Sequence, residues 1–168
     1  ILSTGDELVA AGKTPGPGQI ISSNAAFLTA FVKSYGAEAV DLGIIKDRPG
    51  AVFDAVTAAK NLQLVVTTGG ASVGSHDHIA SDLAAGALDF WKIAMRPGKP
   101  LIWGKIWDTP LLGLPGNPGS TAVCALVFLV PAICKLSGGT PQHYVFSAPL
   151  TTDMPENDQR QDYIRATL

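Results

Sequence analysis

Charge is scarce in this chain: Asp, Glu, Lys and Arg make up 15% of its 168 residues, against 46% apolar. That balance excludes the disordered class and leaves ample apolar surface for a buried core. The length has room for one sizeable domain and at most a fragment of a second. Neither sign dominates, with 12 Lys and Arg against 14 Asp and Glu. The chain therefore lacks the broad basic footprint of a nucleic-acid or acidic-membrane binder. Any anion it binds has to be captured locally.

Cysteine is nearly absent. Cys124 and Cys134 lie ten positions apart on one helical pattern, about 15 Å along a helix axis and beyond disulfide reach. Reduced thiols and a cytoplasmic location are the expectation. Long apolar runs are missing as well. The stretch Ala122 to Cys134 counts 13 residues including Pro131, short of the roughly 18 a membrane span needs, and it reads as a core helix. Neither a secretory leader nor an initiator Met stands at the start. The chain opens at Ile1 in mid-transition from an apolar run to a turn, as expected of a piece of a longer protein.

Glycine and proline are plentiful, 18 and 12 respectively, in separate clusters between strand-like and helix-like runs. Alternation of that kind predicts an α/β fold with a mostly parallel sheet covered by helices on both faces. Helices are expected at 25–35, closed by Gly36, at 49–60, near 77–85 and from 118 to about 136. Strands are expected at 39–45, 62–68, 88–94, 101–103 and 111–114. From Tyr144 onward two further strand-like stretches, 144–150 and 162–168, flank a polar segment. We read 1–140 as the α/β domain and 141–168 as the beginning of a truncated β-rich one.

The stretch Thr67-Thr68-Gly69-Gly70-Ala71-Ser72-Val73-Gly74-Ser75-His76-Asp77 carries most of the chemistry. A strand delivers its carboxyl end into three glycines whose main-chain N–H groups can gather around an anion. Neither the dinucleotide pattern nor the phosphate-loop pattern matches. Gly70 to Gly74 does satisfy the G-x-S-x-G nucleophile pattern, which makes a serine hydrolase with Ser72, Asp108 and His143 a rival reading. Glu7, Asp47 and Asp77 each fall near a strand end, where carboxylates suit Mg²⁺ with retained waters; Asp47 also suits a helix cap. Thr4 sits at the end of the first strand. Lys92 and Arg96, sharing a face if their strand persists, and Lys99 form a cationic group suited to a dianion. Pro115-Gly116-Asn117-Pro118-Gly119-Ser120 offers a second turn with free N–H groups at the start of the long helix.

Taken in order, Ser3-Thr4-Gly5-Asp6-Glu7-Leu8, Gly18-Gln19-Ile20 through Asn24, Asp47, the glycine loop, Phe90 to Pro100 and Leu114 to Ser120 closely resemble the molybdopterin molybdenumtransferases, the MoeA and gephyrin E-domain type. The resemblance covers about residues 1 to 140. It implies a three-layer α/β/α domain of the molybdopterin-binding type. It implies further that molybdate is inserted into the dithiolene of adenylylated molybdopterin, with Mg²⁺ and release of AMP. By the same resemblance, Gly69, Gly70, Ser72, Gly74 and Asp77 hold the pterin phosphate or nucleotide moiety. Glu7 and Asp47 match acidic active-site positions, and Lys92, Arg96 and Lys99 match the basic group near molybdate. Pro115, Gly116, Asn117 and Ser120 match a second ligand loop. Arg96 stands where a lysine is common. The family's dimeric sites draw on further β-rich domains, so this chain is expected to bind without turning over. Molybdopterin adenylyltransferase, of the same fold, is the alternative. Its loop usually carries Thr-Gly where Ala71 to Gly74 stands, and the Arg96 to Pro100 segment is not typical of it.

Overall fold

The computed structural model describes residues 1–59, 61–70, 79, 83, 88–142 and 145–167, apart from the side chain of Trp91. Six strands form the main sheet: β1 (Leu2–Thr4), β4 (Ile44–Ile45), β5 (Val65–Thr68), β6 (Leu88–Lys92), β8 (Pro100–Ile106) and β9 (Thr109–Leu114), in the spatial order β4-β1-β5-β9-β8-β6. The first four in that order run parallel, β8 pairs antiparallel with β9, and β6 pairs antiparallel with β8 and so runs in the direction of the first four. Two short parallel ladders stand apart: β2 (Leu8–Val9) with β3 (Ile20–Ile21), and β7 (Met95–Arg96) with β10 (Gln161–Asp162).

Alternation along the strands divides the interior in two. Val66, Leu101, Leu112 and Leu114 face a cluster with Leu28 and Val32 of helix α1 (Asn24–Ser34) and with Cys124, Ala125, Leu129 and Ile133 of the long helix α3 (Pro118–Leu136). Leu2, Val65, Ile102 and Leu111 face the other way, onto Val52 and Val56 of helix α2 (Ala51–Ala58) and onto Ile79 and Leu83, which are helical and 2% exposed. The result is helix, sheet, helix: the expected three-layer α/β/α arrangement.

Several expected elements are shorter or different. The strand expected over 39–45 keeps only Ile44–Ile45, because the Asp41 carboxylate accepts from the Gly43 amide at 2.8 Å and turns the chain there. Asp47 is not the cap of α2; the capping position is Gly50, whose φ of 77° a side chain would disfavour. Lys92 and Arg96 do not share a strand face. β6 ends at Lys92 and the Met95 amide turns back onto the Ile93 carbonyl. In the tail, 145–150 forms no strand, and the strand expected over 162–168 is only Gln161–Asp162. It lies on β7 rather than on a hairpin partner. Backbone bonds from Gln161 N to Ala94 O (2.8 Å) and from Tyr163 N to Arg96 O (2.7 Å) hold it there.

Helix α3 is 19 residues long with mean hydropathy 1.9, so by length and composition it does reach the range of a membrane span, contrary to the count over the apolar run alone. One face of it nonetheless packs on the sheet through Cys124, Ala125, Leu129 and Ile133. Its middle, Ala125–Leu129, is a wider π-turn directly ahead of Pro131. A proline has no N–H for the carbonyl four residues back and crowds it, and a widened turn relieves that crowding.

Candidate ligand-binding site

The chain leaves β1 toward β4 on one side and leaves β5 toward β9 on the other. Where successive connections diverge like this, a crevice opens outside the carboxyl ends of the two strands, the usual ligand position of an open α/β sheet. Thr4 ends β1 and Gly69-Gly70 follow β5, so both candidates lie at that divergence.

Here the backbone is packed as tightly as glycine allows. A Cβ on Gly69 would lie 2.3 Å from the Thr4 carbonyl oxygen, and one on Gly70 would lie 2.6 Å from Thr4 Oγ1 and 2.7 Å from Ile79 Cδ1. Both have positive φ, 84° and 64°, a conformation that costs other residues roughly 1–2 kcal/mol. The third loop closes in from β9: a Cβ on Gly116 would be 3.3 Å from Gly69 Cα, and Gly69 N donates to Leu114 O at 3.3 Å. Thr4 Oγ1 is buried there with no hydrogen-bond partner among the described residues. On the other face of the same strand ends, Thr68 Oγ1 donates to Ser3 Oγ at 3.5 Å, which lies 3.4 Å from Ser22 Oγ.

Asn117 caps α3, its Oδ1 accepting from Ser120 N at 3.1 Å, while Thr121 Oγ1 donates to Pro115 O at 2.6 Å. Of the two roles the sequence left open for Asn117, helix cap and ligand loop, the first is the one these bonds display. Gly116 O accepts from Asn24 Nδ2 at 2.8 Å. The sequence places Asn24 at the start of α1 without hinting at this contact, which joins residues 92 apart.

The acidic candidates gather on the β1–β4 side. Asp6 Oδ1 accepts from the Asp47 amide at 3.3 Å, and Glu7 folds back so that its carboxylate lies 2.6 Å from where a Gly5 Cβ would be. Ser72, Gly74 and Asp77 lie outside the described residues. No three His, Cys, Asp or Glu side chains converge among the described residues, so these residues alone do not fit a protein-ligated Mg²⁺. Beside the acidic turn lies a cavity of about 620 Å³ lined by Gly5, Asp6, Ser22, Ala25, Ile45 and Lys46 among others, within the size range of small-molecule sites.

The cationic candidates gather elsewhere. Lys92 ends β6, the strand at the opposite edge from β4 and three positions from β5, about 14 Å along the sheet at the usual strand spacing. From there the chain folds over α3, where a Cβ on Gly98 would lie 2.5 Å from Cys124 Sγ. The Arg96 guanidinium is engaged by the tail: Nε donates to Asp162 Oδ1 at 2.9 Å and Nη2 to Asp158 Oδ2 at 3.3 Å. Lys99 is exposed. Acids and cations thus stand at two ends of one rim instead of forming a single cluster.

The hydrolase reading loses its acid. Asp108 lies in the turn between β8 and β9, at the amino end of β9, about 20 Å of strand from the rim that carries Gly70. His143 and Ser72 lie outside the described residues.

Comparison with known proteins now decides the family. Residues 1–135 match the family model described as "Probable molybdopterin binding domain". The chain belongs to this molybdopterin-binding family. Among curated relatives, the molybdopterin molybdenumtransferase of Haemophilus influenzae is 39% identical over 98% of this chain and 42% of its own length. The enzyme of that name from Nostoc sp. is 43% identical over 82% of this chain and 33% of its own. Among solved structures, the molybdopterin biosynthesis MoeA protein from Pyrococcus horikosii superposes with a TM-score of 0.72 at 32% identity, covering 82% of this chain and 34% of that one. The chain thus spans less than half the length of these relatives.

Proposed function

We propose that this chain is the ligand-binding module of a molybdopterin molybdenumtransferase, holding adenylylated molybdopterin along the carboxyl rim of its sheet while molybdate enters the dithiolene. The observation that carries the reading is the three-loop junction at the strand divergence, where Gly69 abuts both the Thr4 carbonyl and Gly116 with no room for a side chain. Glycine at these positions lets the three loops meet at one point of the carboxyl rim, where an extended, multiply charged ligand can touch all of them, although the Gly69 N–H is itself taken by Leu114 O.

The separation of acids and cations favours a long ligand over a compact one. A pterin joined through a pyrophosphate to a nucleoside can span a rim whose ends differ in charge, whereas a single dianion beside Gly69 cannot reach both. In this reading Thr4, Gly69, Gly70, Pro115, Gly116, Asn117 and Ser120 line the middle, and Lys92 and Lys99 form the anion-facing end, which Arg96 joins only when Asp158 and Asp162 of the tail release it. Glu7 and Asp47 form the acidic end, able to hold waters of any Mg²⁺ that the ligand's phosphates bring in; Ser72, Gly74 and Asp77, outside the described residues, are assigned to the same ligand by the resemblance alone. In the reaction, one molybdate oxygen leaves as water with the two thiol protons as two Mo–S bonds form. Addition of water to the phosphoanhydride releases AMP. The protein's share is positioning and charge stabilisation. A cytoplasmic location and a homo-oligomeric parent protein belong to the same proposal.

Calorimetric titration of the chain with AMP in the presence of molybdate tests it. Saturable binding that disappears in Gly69→Ala is the expected result. Robust transfer of AMP from ATP to molybdopterin by this chain would reverse the choice in favour of the adenylyltransferase.

A further inference from the structure

Two ligand loops meet at Gly69 and Gly116, and something has to hold the second against the first. The Gly116 loop is exposed from Gly116 to Gly119, so burial does not fix it. Its inner side is tied to α3 by Thr121 and Asn117, and the bond from Gly69 N to Leu114 O at 3.3 Å holds the end of β9 but not Gly116 itself. Asn24 supplies the outside tie. The residue is 8% exposed, and its side-chain amide donates at 2.8 Å to the Gly116 carbonyl. Asn24 is itself held from below: two residues earlier, Ser22 is 8% exposed, its amide donates to Val9 O at 2.9 Å, and its hydroxyl lies 3.4 Å from Ser3 on β1.

From this geometry we infer that Asn24 is a positioning residue, a strut running from the β1 side of the crevice to the Gly116 loop that keeps Gly116 seated on Gly69. The inference rests on the proposed ligand site and adds to it a residue that touches neither acids nor cations. Without the amide, the Gly116 carbonyl turns to water at little cost to the fold, because that loop is already solvated, while the gap at Gly69 widens. A buried apolar strut would affect stability first, whereas this one should affect ligand affinity first.

The test titrates the 168-residue chain with AMP plus molybdate and follows amide exchange at Gly69 by NMR. In Asn24→Ala and in the near-isosteric, uncharged Asn24→Leu, both of which remove the donor, we expect the dissociation constant to rise about five- to tenfold, the fold-change of a lost hydrogen bond. Exchange at Gly69 should quicken at least about fivefold, with the unfolding midpoint lowered by no more than about 4 °C. Asn24→Gln, which retains an amide donor, should recover part of the affinity. Unchanged affinity in both donor-deleting variants overturns the inference and leaves the ligand site standing. A wild-type chain that binds neither AMP nor molybdate overturns the proposed site and the inference with it. If Asn24→Ala unfolds, Asn24→Leu and the Gly69 exchange rate decide: native-like exchange there counts against the strut.

Discussion

Gly69 shows how far a single missing methyl group reaches. Its φ of 84° and the 2.3 Å approach of a would-be Cβ to the Thr4 carbonyl act together. Gly69→Ala is therefore expected to lower unfolding free energy in urea by at least about 2 kcal/mol. The obstructing atom is backbone and cannot swing aside. Asn117→Ala is milder. It removes the bond from Ser120 N and should cost about 1 kcal/mol, the usual worth of a helix cap. Cys124 offers a third test at this scale. Burial pushes its thiol up to about 11, so it should resist iodoacetamide at pH 8 in the native protein and react only on denaturation. Rapid native labelling of Cys124, read by peptide mass, would contradict its place beneath Gly98.

Among elements, α3 carries the clearest consequence. It belongs to the layer over Leu112 and Leu114 and begins at the Gly116 loop, so its packing sets where that loop stands. Leu129 is 1% exposed, in the cluster that α3 forms with Val66, Leu101, Leu112 and Leu114 of the sheet. Leu129→Ala should cost about 2–5 kcal/mol by cavity formation, measured by chemical denaturation, and should loosen the ligand loop as well. Leu126, on the same helix but 54% exposed, is the internal control, and its replacement by Ala should change stability by less than about 1 kcal/mol.

At the scale of the whole molecule, the tail closes onto the cationic end of the rim. Asp158 bonds Arg160 and reaches Arg96, and Asp162 bonds Arg96. Hydrogen bonding from Arg160, with attraction from both guanidiniums, holds the Asp158 carboxyl down at about 2. A depressed carboxyl pKa means that this contact is complete above about pH 4 and is lost as pH falls from there toward 2. The amides of Gln161 and Tyr163 should accordingly remain protected from exchange at pH 5 and lose protection between pH 4 and 2. Protection unchanged across that interval would show that the backbone pairing with β7 holds the tail without its charges. Because Asp158 is exposed to solvent, added salt should also weaken the contact.

Periodicity and punctuation sufficed for α1 and its stop at Gly36, for the buried run ending at Thr68, for α3 and for the three-layer class, because these depend on neighbours a few residues apart. The family likewise was legible in ordered short motifs. Which candidates share a place was decided only by the fold. Asp41 cut a predicted strand short, the turn after Lys92 separated it from Arg96, and the strand order carried the cations to one edge and the acids to the other. The same order moved Asp108 to the far end of the sheet. Asn24 meets Gly116 across 92 residues of chain, and no local pattern encodes such a contact: it exists because β1 and β9 both flank β5, an outcome of packing two helix layers on one twisted sheet.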